Sequence, residues 1–163
     1  MKLYSIGHSN ATIDDFLDLL RRNEIVVLVD TRSQPYSRYN PHFSREALKQ
    51  SVTEHGIEYM YLGNRIGGKP DGREFYFPNG KVNFEALAQS FGYLSGIEQL
   101  LNLAEQRKVA FMCAEADYTH CHRYWLITRT LVERGIEVEH ILHSGESVKS
   151  VASDFEEKQP SLF

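Results

Sequence analysis

One alternation constrains this chain more than any other feature. Helix-like stretches end in polar residues or glycine, and a short apolar run follows: RRN before EIVVLVD, TEHG before IEYMYLG, AEQRK before VAFMCAE and VERG before IEVEHIL. LYSIG supplies an earlier run at the N-terminus. Short Val/Ile/Tyr-rich runs separated by helical periodicity predict βαβ units and a parallel sheet. The expected fold is a single three-layer α/β domain: a mostly parallel sheet of about five strands, helices on both faces, residues 1–148. A polar tail is expected over 149–163.

Helix ends are readable. Thr12 and Asp15 have capping-box spacing, with Ile13, Phe16, Leu17 and Leu20 then on one face. Ser44 is the expected cap of a second helix that Gly56 stops. A third segment is expected over 83–106, with interruptions at Gly92 and Gly96. A fourth is expected from His120 or Cys121 to just before Gly135. TRSQPYSRYNPHF and GNRIGGKPDGREFYFPNG, rich in Pro, Gly and aromatic residues, are expected to be ordered loops over a cleft.

The 163 residues fit one domain with a real core. A net charge of −4 gives no global pull toward nucleic acid or anionic lipid. No apolar run is long enough to span a bilayer and no signal peptide is read, so a cytoplasmic protein is expected. Two cysteines are too few for a disulfide framework.

The residue just past each apolar run is polar or glycine: Gly7-His8-Ser9, Asp30-Thr31-Arg32-Ser33, Gly63-Asn64-Arg65, Cys113-Ala114-Glu115 and His143-Ser144-Gly145. Ligands of open α/β sheets bind outside the carboxyl ends of the strands, so these clusters predict one shared crevice. The stretch CAEADYTHCHR, from Cys113 to Arg123, holds both cysteines and two of the seven histidines. Three chemistries are open to it. Metal ligation is the weakest, because there is no C-x₂-C or H-x₃-H pair and Arg123 would repel a cation; no metal is assigned. Thiol chemistry at Cys121 or Cys113 is the second, including a reversible disulfide if the loop between them folds back. Anion recognition is the third, with Arg123, Arg32, Arg38 and the Gly67-Gly68-Lys69 backbone. GGK is not a P-loop, since G-x-x-x-x-G-K-[ST] is absent, and no cofactor is named. Glu115 and His8 are candidate general acid or base groups.

SIGHSN, VDTRSQPYSRYNPHFS, YLGNRIGG and FMCAEADYTHCHR together resemble the bacterial and archaeal family called domain of unknown function 488. The resemblance covers nearly the whole chain. It implies a compact α/β domain with Gly7, His8, Ser9, Asp30, Arg32, Pro35, Gly67, Gly68, Cys113, Glu115, Cys121, His122 and Arg123 around one crevice, and it implies no particular reaction.

The expected function is an enzyme acting on a phosphate-bearing or nucleotide-like substrate, with Cys113, Glu115 and His8 catalytic. Gly7, Ser9, Asp30, Arg32, Arg38, Gly67, Gly68, Cys121, His122 and Arg123 would bind the substrate or its anion. A non-catalytic nucleic-acid-associated module and a thiol, sulfur-transfer or redox protein are the alternatives. The terminal QPSLF is similar to peptides that dock on the bacterial replication sliding clamp, with Gln159, Leu162 and Phe163 as anchors. The alternative is that Leu162 and Phe163 fold back on their own domain.

Overall fold

The computed structural model describes residues 1–155. Six strands form one sheet: β1 (Lys2–Gly7), β2 (Val27–Asp30), β3 (Glu58–Tyr61), β4 (Val109–Cys113), β5 (Glu137–Ile141) and β6 (Ser147–Ser150), in the order β3-β2-β4-β1-β5-β6. β1 to β5 pair in parallel and β6 runs antiparallel to β5. The sheet is therefore mostly parallel, as expected, with one more strand. That strand, SVKS, is short and polar and largely exposed at the sheet edge, so it has no apolar run to announce it.

Parallel strands bury both faces, and the pleat sends alternate residues to each. Tyr4, Ile6, Leu28, Ala110, Met112 and Ile141 pack under helices α1 (Ile13–Arg22) and α2 (Arg45–Glu54), against Phe16, Leu17, Leu20, Leu48 and Val52. Leu3, Val27, Val29, Val109, Phe111 and Val138 face the opposite layer. After the one-turn α3 (Gly63–Ile66), this layer is built by α4 (Phe84–Ala88), α5 (Phe91–Ala104) and α6 (Arg129–Glu133), through Tyr93, Ile97, Leu100, Leu131 and Val132. Each fully buried large aliphatic or aromatic side chain stabilises the fold by about 1.5–3 kcal/mol. Among the described residues no helix is long and apolar enough to cross a membrane.

Several boundaries differ from expectation. The Thr12 hydroxyl does accept from Asp15 N at 3.1 Å. Ser44 occupies the cap position of α2, but its hydroxyl is spent on Ser37, accepting from Ser37 N at 3.1 Å, and pins the 31–44 loop instead. The 83–106 segment breaks at Gln89-Ser90, not at Gly92 or Gly96, because Ser90 caps a new helix through Tyr93 N. The last helical segment starts later than expected, as a π-helical turn over Arg123–Thr128 that runs into α6. There the Thr128 hydroxyl donates to Arg123 O at 2.6 Å, occupying a carbonyl near the turn's start. The fold also runs past 148: β6 ends at Ser150, and Phe155 is buried against Tyr124, at 4.6 Å between ring centroids. Gln159, Leu162 and Phe163, the expected clamp anchors, lie outside the described residues.

The strand order fixes where a ligand belongs. From β1 the chain passes through α1 toward β2 and β3, on one face of the sheet. From β4 it passes through the π-helical turn and α6 toward β5, on the other face. The connections leaving the adjacent strands β1 and β4 therefore diverge, and a crevice opens between their carboxyl ends. Gly7 and Cys113, the last residues of these strands, are register partners.

Candidate functional site

The crevice is a cleft of about 440 Å³, within the range of small-molecule sites. Its walls come from three of the five expected strand-end clusters, with His8 after β1, Arg32 and Ser33 after β2, and Cys113, Ala114 and Glu115 after β4, joined by His120, Cys121 and His122 from the following loop and by Gly68 and Lys69 after α3. The Gly63-Asn64-Arg65 and His143-Ser144-Gly145 clusters do not line it. Gln34, Tyr36, Ser37, Val82 and Phe84 complete it.

Behind the lining lies close-packed backbone, and Gly7 and Ser9, expected to bind the substrate, belong to it and do not line the cleft. The β1–β4 ladder continues past the strands, with His8 N donating to Cys113 O at 3.0 Å and Ser9 N to Ala114 O at 2.8 Å. A Cβ on Gly7 would stand 1.7 Å from Glu115 O, so only glycine lets the 113–121 loop cross here. Ser9 is held in the left-handed region at φ +46. Its carbonyl accepts from His8 Nδ1 at 2.8 Å, which fixes the imidazole.

His8 lies on Phe43, 4.5 Å between centroids. Burial pushes its pKa down to about 4, so the ring is neutral near pH 7. With Nδ1 donating to Ser9, Nε2 offers a lone pair, and Arg32 NH1 is 3.3 Å away. Arg32 is held in turn by Asp30. Its Nε donates to Oδ1 at 2.9 Å and its NH2 to Oδ2 at 2.8 Å, while Tyr59 donates to Oδ2 at 2.5 Å. Asp30 is fully buried and saturated; it aims Arg32 and does not itself line the cleft.

The opposite wall is a cysteine–histidine pair. Cys121 has extended backbone just before the π-helical turn. Its sulfur accepts from Arg123 N at 3.4 Å and lies 3.6 Å from His122 Nδ1. His122 Nε2 is 3.1 Å from Thr31 O and 3.2 Å from the Thr31 hydroxyl, which itself donates to Met112 O at 2.7 Å. Nε2 must therefore carry the proton. Burial lowers the pKa of His122, so Nδ1 presents a lone pair to the thiol. Cys121, His122 and Thr31 thus form one line of contacts from sulfur through imidazole to threonine.

The two thiols are free, and both line the cleft. Burial drives the Cys113 pKa well above its usual value, and Cys121 drives it further. Burial also pushes Cys121 upward. The Cys113 thiol, the Arg123 charge and the Arg123 N–H outweigh it, leaving Cys121 the more acidic sulfur.

Some expected site residues do not reach the cleft. Arg123, assigned to the anion end, is fully buried. Its guanidinium donates to Ser5 Oγ at 3.2 Å and to the Glu115 and Ala116 carbonyls at 3.0 and 3.4 Å, and its Nε has no partner. It braces the loop from beneath. Arg38 is exposed beside Tyr39, with its guanidinium 5.8 Å from that ring, and stands outside the cleft lining. Gly67 N donates to Gly63 O and Lys69 N to Ser33 Oγ, so these two GGK amides are already occupied. Gly68 does line the cleft, where a Cβ would meet His122 at 2.8 Å. Glu115 is exposed at the mouth. Gln34 and Ser37 come from the first of the two loops expected over a cleft, although neither was singled out; Val82 and Phe84 were not foreseen, because they lie beside and at the start of a helix that reads as pure core. Among the described residues no group of three or more His, Cys, Asp or Glu is arranged to hold a metal ion.

Fold and site together define a mostly parallel α/β domain with a cysteine–histidine cleft at the strand switch point. The chain belongs to the family described as Domain of unknown function DUF488, whose model matches residues 12–130. No curated protein and no solved structure matches it.

Proposed function

We propose that this chain is a small cysteine-dependent enzyme acting on a phosphate-bearing, nucleotide-sized substrate, with Cys121 as nucleophile and His122 as base. The observation that carries this reading is the chain of contacts from Cys121 Sγ through His122 Nδ1 and Nε2 to Thr31, opening on a cleft whose far wall bears the oriented Arg32. Arg32 and Lys69 supply positive charge for a phosphate, and Tyr36, Val82 and Phe84 supply an apolar wall for a flat ring.

In this reading His122 takes the Cys121 proton and the thiolate attacks phosphorus. The P–O bond to the leaving oxygen breaks, and that oxygen receives the proton from His122. Water, deprotonated by His122, then hydrolyses the cysteinyl phosphate. Cys113 shifts from the expected reacting centre to a supporting donor. His8 steadies Arg32, and Glu115 at the mouth is proposed to orient the leaving group, whose proton comes from His122.

The test is a panel of nucleoside mono- and diphosphates offered to the full chain, read by thermal shift and by intact mass after acid quench. The expected result is a stabilising ligand and an adduct that Cys121→Ser abolishes. A panel giving neither shift nor adduct would sink the reading.

A second reading, contact with single-stranded nucleic acid, is favoured by Tyr36 on the cleft and Tyr39 beyond it, 72% and 86% exposed, with Arg38 between them in sequence.

A further inference from the structure

The loop after β4 folds back so that two cysteines eight positions apart in sequence line the same cleft. Cys113 Sγ lies 3.8 Å from Glu115 O, and Cys121 Sγ accepts from the N–H of Arg123, whose guanidinium donates to that same Glu115 carbonyl. The two are unequally placed. Cys113 ends a strand that is paired on both sides, by β1 and β2. It is 1% exposed. Cys121 is also buried, at 6% exposure, but it sits in extended backbone on the cleft wall, at the end of a loop whose residues 114–117 are exposed. A disulfide needs the sulfurs at about 2.05 Å. The required approach would fall on this exposed loop and not on the central strand.

We infer that Cys113 is the resolving partner of Cys121: a small hydroperoxide entering the cleft oxidises Cys121, and Cys113 then closes an intramolecular disulfide. The inference rests on the reading of Cys121 as the reactive sulfur. In the first step the Cys121 thiolate attacks the peroxide oxygen. The S–O bond forms, the O–O bond breaks, and the leaving alkoxide or hydroxide takes a proton from water or His122. In the second step Cys113 sulfur attacks Cys121 sulfur. The S–S bond forms, the S–O bond breaks, and hydroxide leaves with the Cys113 proton as water. Two thiols lose two electrons in all, and the peroxide is reduced to alcohol or water. A dithiol reductant reverses the bond.

The consequence is protective and inhibitory at once. The disulfide stops Cys121 at the reversible stage, short of sulfinic acid. It also ties the nucleophile away from His122, so an oxidised site is silent until reduced.

The experiment uses the full chain, reduced and freed of reductant, then treated with a small excess of hydrogen peroxide. Intact mass, thiol counting and non-reducing electrophoresis are the readouts. The expected result is a monomer that has lost two hydrogens and both titratable thiols, restored by dithiothreitol. Cys113→Ser should instead gain one and then two oxygens at Cys121. Cys121→Ser should keep its Cys113 thiol at the same dose. Persistence of both thiols, a disulfide-linked dimer, or a Cys113→Ser protein that behaves as the parent would overturn the inference. If Cys113→Ser does not fold, Cys113→Ala carries the same comparison. None of these readouts needs a substrate. Turnover retained by Cys121→Ser would remove the proposed function and leave the disulfide result standing.

Discussion

The guanidinium of Arg32 closes on the Asp30 carboxylate through two parallel hydrogen bonds, where Asp30 has no contact with solvent and Arg32 is 5% exposed. A buried pair of this kind adds little net stability over an apolar pair, but removing one partner leaves an uncompensated charge. Arg32→Ala should destabilise the fold by about 3–5 kcal/mol, and Arg32→Lys by less, since an ammonium cannot reproduce both bonds. Urea unfolding would measure both. Equal loss in the two variants would mean that the fork geometry is irrelevant.

The thiols should differ in rate. Cys121 is stabilised as thiolate and Cys113 is not, so iodoacetamide at neutral pH should modify Cys121 roughly tenfold faster. His122→Ala should narrow that ratio. Peptide mapping of a timed alkylation gives both rates. Sluggish, equal labelling of the two would count against a reactive Cys121.

Acid should destabilise the protein early. His8 and His140 are buried neutral, with pKa values near 4 and 3, against 6.5 for an open histidine. The unfolded chain therefore binds more protons as the pH falls below 6.5, and the fold loses stability with each further drop. The slope for each group grows from about 0.7 kcal/mol per pH unit at pH 6.5 toward about 1.4 at lower pH, so the two together cost on the order of 3 kcal/mol between pH 6.5 and 5. Melting temperatures across that range should fall steeply; a flat profile would refute the assignment.

Gly7→Ala should be tolerated badly despite its small size. The added methyl meets the Glu115 carbonyl, and backbone on both sides leaves no flexible atom to yield. A loss of about 3 kcal/mol is expected in thermal or chemical unfolding, together with altered Cys121 reactivity as the loop shifts. Parent-like alkylation and stability would show that the crossing has room to spare.

The loop tip offers a test of the nucleic-acid reading. Arg38→Ala leaves the cleft intact and removes the charge between Tyr36 and Tyr39. Single-stranded oligonucleotide binding that weakens with salt and drops roughly tenfold in Arg38→Ala would support that reading. Binding unchanged by salt and by the substitution would dismiss it.

The glycine stops, the Thr12 cap and the apolar runs were legible because each is local: one turn of chain holds the whole signal. The convergence of strand-end clusters was legible in part: parallel strands present their carboxyl ends together, but only the clusters after β1, β2 and β4 line the cleft, while those after β3 and β5 do not. What escaped depends on atoms far apart in sequence. Thr31 orients His122 across 91 positions, and Arg123 meets Ser5 across 118, so neither partnership leaves a pattern in a window of residues. The π-helical turn escaped because its side chains read as an ordinary helix face. β6 escaped because an edge hairpin strand needs only backbone to pair.

The strand order also bears on any attempt to dissect the chain. Because β1 sits between β4 and β5, a fragment cut to residues 12–130 would lack both β1 and β5, the two strands beside β4 on that flank. Such a fragment would expose the unsatisfied amides and carbonyls of β4 to water and to other copies, an invitation to aggregate. The first seven residues hold the two halves of the sheet together, and expression work should leave them intact.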